Sequence, residues 1–316
     1  MNINGDVDIN LKYIFKDKIG QGSYSDVYSA INSNKQQVVI KALKQKIVKS
    51  KDSHENIEVD ILPRLQHDNI LSSKEVYSKS GYYYLVFDEM KSNLDQYIKT
   101  VGYISRFQIQ IWMYQLLSAL EYCHNHAIIH EDIKPENILI DSKNDVKLAD
   151  FGSATHCGMN SVLEIDSKVS TYSTLRYAAP ELLLETKTYT NKVDIWSLGC
   201  VFAELLSNNE LFSGSCISDQ IDKIFALLGT PTHDSSSTYT NQPLWTDLSL
   251  NENMKHVTVY KKRPLSIFAC RDPVTLDLLS KMLTLDPSQR ISSSEALKHE
   301  YFINVSEKTC YSINHN

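Results

Sequence analysis

A chain of 316 residues, 42% of them hydrophobic, holds enough apolar material for one large domain or two lobes. Its net charge of −6 comes from acids and bases spread along the length, which leaves no basic stripe for nucleic acid and no polybasic tail for a membrane. Cys123, Cys157, Cys200, Cys216, Cys270 and Cys310 include no C-x-x-C pair, so they read as buried or free thiols of a reducing compartment rather than a metal site or disulfide frame.

Residues 1–12 read as a polar N-terminal arm, loose at least over 1–10. Polar Asn2, Asn4, Gly5 and Asp6 do not suit a secretory leader, and myristoylation would need glycine in place of Asn2. The end Ser312 to Asn316 has no prenylation cysteine. Phe15 to Ile19, Asp26 to Ile31 and Gln37 to Leu43 have the composition of strands, with Gly20 and the turn Asn32-Ser33-Asn34 between them. Glu55 to Leu65 sets Ile57, Ile61, Leu62 and Leu65 on one helical face, with Pro63 expected to shorten or bend its last turn. Tyr82 to Phe87 is a further strand, too short to cross a bilayer, and Asp88 to Asn93 a polar connector.

Beyond it the period becomes helical. Ile109, Met113, Leu116, Leu120 and Cys123 describe a half-buried helix ending near Asn125. Ile195, Leu198, Phe202 and Leu205 outline a second helix, and Leu276, Leu279 and Leu283 a third. Residues 230–265, rich in Thr, Ser and Asn with Pro231, Pro243 and Pro264, are expected as a long irregular segment. The expected organisation is a strand-rich lobe over 13–89, a hinge near 88–93, a larger helical lobe over 90–303 and a tail over 304–316, with a cleft between the lobes.

Two stretches carry the chemistry. His130-Glu131-Asp132-Ile133-Lys134-Pro135-Glu136-Asn137 is followed by Asp150-Phe151-Gly152, with Asp132 and Asp150 18 residues apart. Phosphoryl transfer needs such a set: one carboxylate to accept or orient a hydroxyl proton, a second with an amide oxygen to hold Mg²⁺, and a lysine to neutralise the moving phosphate. Gly20-Gln21-Gly22-Ser23-Tyr24-Ser25 has the form of a glycine-rich phosphate loop whose third glycine is replaced. Such loops often only turn the chain. Here Asp26-Val27-Tyr28 continues as a strand, which fits a loop covering ATP phosphates and not a dinucleotide-binding turn. Val38-Val39-Ile40-Lys41 ends a strand on a lysine, and Glu58 follows 17 residues later, with Glu55 and Asp60 as rival partners.

With Ala179-Pro180-Glu181 closing the segment that Asp150 opens, and Asp194-Ile195-Trp196-Ser197-Leu198-Gly199 beyond, these motifs resemble the eukaryotic protein kinases over roughly residues 13–303. The chain is most similar to the cyclin-dependent and MAP kinase group, above all to cyclin-dependent kinases. Asp219 to Pro231 resembles that group's insert, which would span about 215–265, and Leu283 to Ile291 resembles the end of such domains. The resemblance implies an α+β, bilobal fold: an antiparallel-sheet N-lobe with one main helix, and a mostly helical C-lobe.

It also implies an activity: transfer of the γ-phosphate of ATP, with Mg²⁺, to a protein substrate. Asp132 would be the base or orienter, Lys134 would contact the γ-phosphate, and Asn137 and Asp150 would hold the metal. Lys41 would hold the α- and β-phosphates, positioned by Glu58, which His67-Asp68-Asn69-Ile70 follows at the family's usual distance. Gly20, Gly22, Val27, Val39 and Leu139 would surround the nucleotide, with Phe87 at the back and Asp88, Glu89 and Met90 as the adenine-binding hinge. Val39 stands where kinases have alanine and would tighten the roof. Arg290 would pair with Glu181 and tie down the substrate loop. Lys134 with Thr174 implies Ser/Thr rather than Tyr substrates.

The chain departs from the group at its switch. Cyclin-dependent kinases cage a phosphothreonine with three arginines; here those positions read Ile57, Glu131 and Thr155, and the phosphorylated position falls on Val169. A phosphate orders a loop mainly through charge-assisted bonds to arginine, so this switch is absent. The activation segment, 150–181, is expected to hold without phosphate through Glu131 meeting Lys168 or Arg176. An exposed pair of that kind is worth about 0–1 kcal/mol, which leaves a place for a cyclin-like or other activating protein. Asn160 to Lys168 looks like an extra loop, and Ala178 replaces the arginine that shapes a preference for proline after the target residue. Ser23-Tyr24 occupies the positions of inhibitory phosphates. The alternative from another class is a pseudokinase scaffold, for which Ser25, Val39, Glu131 and Ala178 leave room; a small-molecule phosphotransferase is disfavoured by Ala179-Pro180-Glu181 and the insert. An intracellular site, cytoplasm or nucleus, is expected.

Overall fold

The computed structural model describes residues 8–22, 25–44, 57–156, 163–164, 175–185, 188–231, 245, 258–265 and 272–305. Its first part is one antiparallel sheet of β1 (Tyr13–Gln21), β2 (Ser25–Asn32), β3 (Gln37–Leu43), β4 (Glu75–Lys79) and β5 (Tyr82–Asp88), in the order β1-β2-β3-β5-β4. Alternation of side chains divides the sheet's two faces. Ala30, Val38, Ile40, Tyr77 and Val86 join Ile9 and Tyr13 in a small outer core. Val76, Leu85 and Phe87 belong instead to the main core that runs on into the helical part.

The end of the expected arm is docked. Asp8 caps a 3-10 turn over Ile9–Leu11, and Ile9 is buried. Lys79–Asp8 and Lys12–Glu75 ion pairs tie this turn to the sheet. The cause is Ile9, an apolar side chain with the outer core to cover.

Where one helix was expected over Glu55 to Leu65, the described part is a π-helical turn at Ile57–Ile61 and a 3-10 turn at Leu62–Arg64. Pro63 opens the second turn and has no N–H for an α-helical bond, which ends the segment early. Residues 45–56, Glu55 among them, lie outside the described residues.

The connector after β5 leads into β6 (Ser92–Asn93), which pairs with β8 (Ile138–Ile140), itself paired with β9 (Val146–Leu148). Between them lie α1 (Leu94–Val101), α2 (Arg106–Asn125) and β7 (Ile128–Ile129). Ser105 caps α2, whose Ile109, Trp112, Met113, Leu116, Leu120 and Cys123 are buried. Further on come β10 (Thr155–His156), β11 (Leu163–Glu164), α3 (Pro180–Leu183) and β12 (Thr188–Tyr189). β10 pairs with β7, and β11 with β12. The last part holds α4 (Lys192–Ser207), α5 (Ile217–Leu228), α6 (Pro273–Met282) and α7 (Ser293–Leu297). α4 is the central helix, buried almost all round from Val193 to Leu205. Within 230–265, Thr230, Pro231, Trp245 and 258–265 are described, and Trp245 and Leu265 are buried in the main core. Among the described residues no helix is long and apolar enough to cross a membrane.

Candidate active site

The sheet register aligns Gly20, Val27, Lys41 and Leu85 in one row across β1, β2, β3 and β5. Val39 lies two residues before Lys41 and opposite Phe87. Directly opposed residues share a face, so Val27, Val39, Lys41 and Phe87 all lie on the side that joins the main core. That side overlooks the second half of the molecule. Gly22 closes the end of β1, its N–H bonded to the carbonyl of Ser25 at 2.8 Å. Ser23 and Tyr24 lie outside the described residues.

The Lys41 ammonium sits between two carboxylates, donating to Glu58 Oε1 at 2.5 Å and to Asp150 Oδ1 at 2.7 Å. Glu58 meets it as expected, while the rival Glu55 lies outside the described residues. Burial works against charge on Lys41, but the two carboxylates outweigh it and its pKa is raised. Burial also raises the Glu58 pKa, with Lys41 pulling the other way. At Asp150 burial pushes upward, yet the ammonium prevails and the pKa is lowered. Glu58 and Asp150 are linked by backbone as well. The loop after the Glu58 turns meets β9 through Leu148 N–H to Asn69 O, 2.8 Å, and Leu71 N–H to Leu148 O, 2.9 Å. Asp150 itself adopts a left-handed conformation, φ 62°, which Asp tolerates better than most residues.

The catalytic-type loop is held from below. Asp194, buried at the start of α4, accepts from the N–H groups of His130 (2.9 Å) and Glu131 (3.0 Å) and meets His124 Nε2 at 2.9 Å. Burial would raise its pKa, but these partners win and lower it. His130 is also buried: Nε2 lies 3.0 Å from Ala149 O, and its ring meets Phe151 edge-on at 4.7 Å. The motif containing Asp194 was legible, but its two bonds to a loop 64 and 63 residues away were not.

Within that loop Lys134 Nζ donates to both oxygens of Asp132, at 2.9 and 2.8 Å. Asn137 Nδ2 donates to Asp132 Oδ2 and to its carbonyl, both at 2.8 Å. Ala149 N–H to Asn137 O at 2.9 Å ties this loop to the residue before Asp150. Asp132, Lys134 and Asn137 form one hydrogen-bonded cluster, and Lys41, Glu58 and Asp150 another. Leu139 lies on β8, partly buried. Phe87 is buried at the end of β5, while Asp88 and Glu89 are exposed and Met90 is partly so. Asp88 forms an ion pair with Lys74.

The donor set fits magnesium. Among the described residues no three or more His, Cys, Asp or Glu side chains form a metal cage. A carboxylate and an amide oxygen are hard donors, and two protein ligands suffice for an ion that keeps waters and takes phosphate oxygens. The side chain of Asp150 is 49% exposed, and the bonds of the Asn137 amide nitrogen leave its oxygen to face elsewhere.

Beyond the cleft, Arg290 and Glu181 pair through two parallel bonds of 2.7 and 2.9 Å in full burial. Arg176 pairs with Glu210 and not with Glu131. Glu131 accepts from the Tyr189 hydroxyl at 2.8 Å. Lys168, Val169 and Thr174 lie outside the described residues, as do Asn160 and residues 170–172. Thr155 stands on β10, opposite Ile129. A family model described as protein kinase domain matches residues 13–302.

Proposed function

The chain belongs to the protein kinase domain family, and from that premise we propose that it is an active serine/threonine kinase, transferring the γ-phosphate of MgATP to a protein hydroxyl. The observation that carries this reading is the Lys41 ammonium shared by Glu58 and Asp150. An ammonium fixed from two sides is preorganised to receive phosphate oxygens without reorganising. Asn137 and Asp150 would hold Mg²⁺, which when bound supplies the positive charge that the triphosphate needs. The cleft itself cannot supply it: Lys41 and Lys134 face three carboxylates, Glu58, Asp132 and Asp150. Asp132 accepts or orients the substrate hydroxyl proton, and Lys134, already on that carboxylate, neutralises the moving phosphate.

The reading closest to cyclin-dependent kinases draws support from α5. Gln220, fully buried on that helix, accepts from Gly214 N–H at 2.7 Å and donates to the carbonyl of Arg176 at 3.1 Å. The insert thereby supports the end of the activation segment, a surface for a peptide rather than a small molecule. Ala178 is buried and brings no charge to that surface, so preference for proline after the target is weak. A peptide array with strict Ser/Thr-Pro selection would refute that point.

The deciding experiment uses phosphatase-treated full chain without added partner. Thermal shift with MgATP and radiolabelled transfer to a generic protein substrate are measured together, with Lys41→Met as control for a contaminating kinase. An active kinase shifts and transfers. A pseudokinase scaffold shifts and does not transfer, and that outcome overturns the proposal.

A further inference from the structure

We infer that Tyr189 is a positioning residue, which anchors the activation segment to the catalytic loop by a hydroxyl–carboxylate bond in place of a phosphate. The inference rests on the kinase reading and names how its loop is held. Glu131 immediately precedes Asp132. Its backbone is in the left-handed region, φ 64°, a strained conformation for glutamate. It is kept there by the buried carboxylate of Asp194, which binds its N–H and that of His130. A backbone pinned in this way fixes where the Glu131 side chain starts.

That side chain accepts from Tyr189 Oη at 2.8 Å. Tyr189 belongs to β12, and the backbone of β12 pairs with β11, Leu163 opposite Tyr189 and Glu164 opposite Thr188. β11 lies inside the activation segment, between Asp150 and Glu181. Tyr189 therefore faces two ways: its side chain holds the residue next to Asp132, and its main chain holds the segment. Its ring packs against the main core, so the hydroxyl is presented from a fixed base. A carboxylate at position 131 accepts a phenol proton, a bond stronger than one between neutral groups. It would repel a phosphate, so the same residue that ends the phosphate cage begins this one.

The test uses phosphatase-treated full chain carrying Tyr189→Phe, Glu131→Ala, both together, or Glu131→Gln, which keeps an acceptor oxygen. KM for a protein substrate, KM for ATP and amide exchange at 155–164 are measured. Tyr189→Phe and Glu131→Ala should each raise the protein-substrate KM by roughly ten- to thirtyfold, the lower range for a hydrogen bond to a charged group, at a partly exposed site. ATP KM should not move. The double variant should be no worse than Glu131→Ala alone, as expected when Tyr189→Phe removes a bond that is already gone. Glu131→Gln should recover most of the loss, and exchange of β11 should quicken only where the bond is broken. Additive single effects, or a Tyr189→Phe protein with unchanged substrate KM and unchanged β11 exchange, would overturn the inference. Wild-type protein that transfers nothing ends the kinase reading instead; the exchange data then decide the anchor by themselves.

Discussion

Arg290–Glu181 and Lys41–Glu58–Asp150 are both buried charge clusters that join distant parts of the chain, and they differ in what they leave open. Arg290 and Glu181 are at most 1% exposed. The guanidinium's remaining bonds go to the carbonyls of Thr284, Lys192 and Leu285, and its plane lies over Trp196, 5.1 Å from the ring centre. Every nitrogen of that group is engaged by protein, so the pair is a fastener. Lys41 is held as closely, yet Asp150 on its other side is half exposed. Burial of charge does not by itself mark a site; an engaged group with one face left to solvent does.

Cutting each cluster in turn tests this contrast. Glu181→Ala leaves the guanidinium buried and uncompensated, which should cost about 3–5 kcal/mol in urea unfolding. A loss below about 1 kcal/mol would mean that Arg290 finds water or another acceptor, and the fastener reading would fall. Lys41→Met should lower phosphoryl transfer by about 10²–10³-fold, the cost of one preorganised donor at a reacting centre. Its stability should fall by clearly less than that of Glu181→Ala, since Asp150 can turn to solvent and the buried Glu58, its pKa already raised, can take up a proton. Equal losses of stability would erase the difference between the clusters.

How far the sequence revealed this arrangement depends on range. The strands from Tyr13 to Leu43 and helix α2 were legible because each writes its own period. The Lys41–Glu58 pair was legible from spacing. Helix α1 was missed, although Asn93 caps it and Gly102, at φ 68°, ends it; eight residues with Leu94 and Ile98 buried give too short a periodic run. α5 was read as a motif and not as a helix, though Ile221, Ile224, Phe225 and Leu228 have helical spacing. The turns at Ile57–Ile61 and Leu62–Arg64 escaped because periodicity does not separate α from π or 3-10 geometry. The Glu131–Tyr189 bond spans 58 residues and ends on a two-residue strand, which has no pattern to read. Arg176 was expected on Glu131 by charge alone, and Glu210, offered by the turn after α4, takes it.

Glu204 is a third kind of buried charge, one with no cation beside it among the described residues. Burial pushes its pKa up to about 7; the Tyr177 hydroxyl, donating at 2.7 Å, lowers it, while Glu210, Glu136 and Asp95 add to the rise. The folded protein thus keeps this proton up to about pH 7, whereas an unfolded chain releases it near the ordinary value of 4.5. Stability must fall as pH rises through that window and level off above it, by roughly 3 kcal/mol in all. Glu204→Gln keeps an acceptor for Tyr177 and removes the slope. The variant should match the parent near pH 5 and exceed its Tm at pH 8. Parallel curves of Tm against pH would show that Glu204 titrates as an ordinary carboxylate.

The smallest effect should come from the pair whose distances look most like those of the cleft. Lys12 Nζ reaches both oxygens of Glu75, at 2.6 and 2.8 Å, yet the side chains are 47% and 28% exposed. Water competes for both groups, and fixing the long lysine costs rotamer entropy, so Lys12→Ala should cost less than about 1 kcal/mol. The difference should shrink further in 0.5 M salt, where the screening length is only a few ångströms. A larger, salt-insensitive loss would show that the docked arm depends on this charge, and not on Ile9 in the outer core. Short distances would then be a better guide to energy than surroundings, which is the opposite of what the two buried clusters imply.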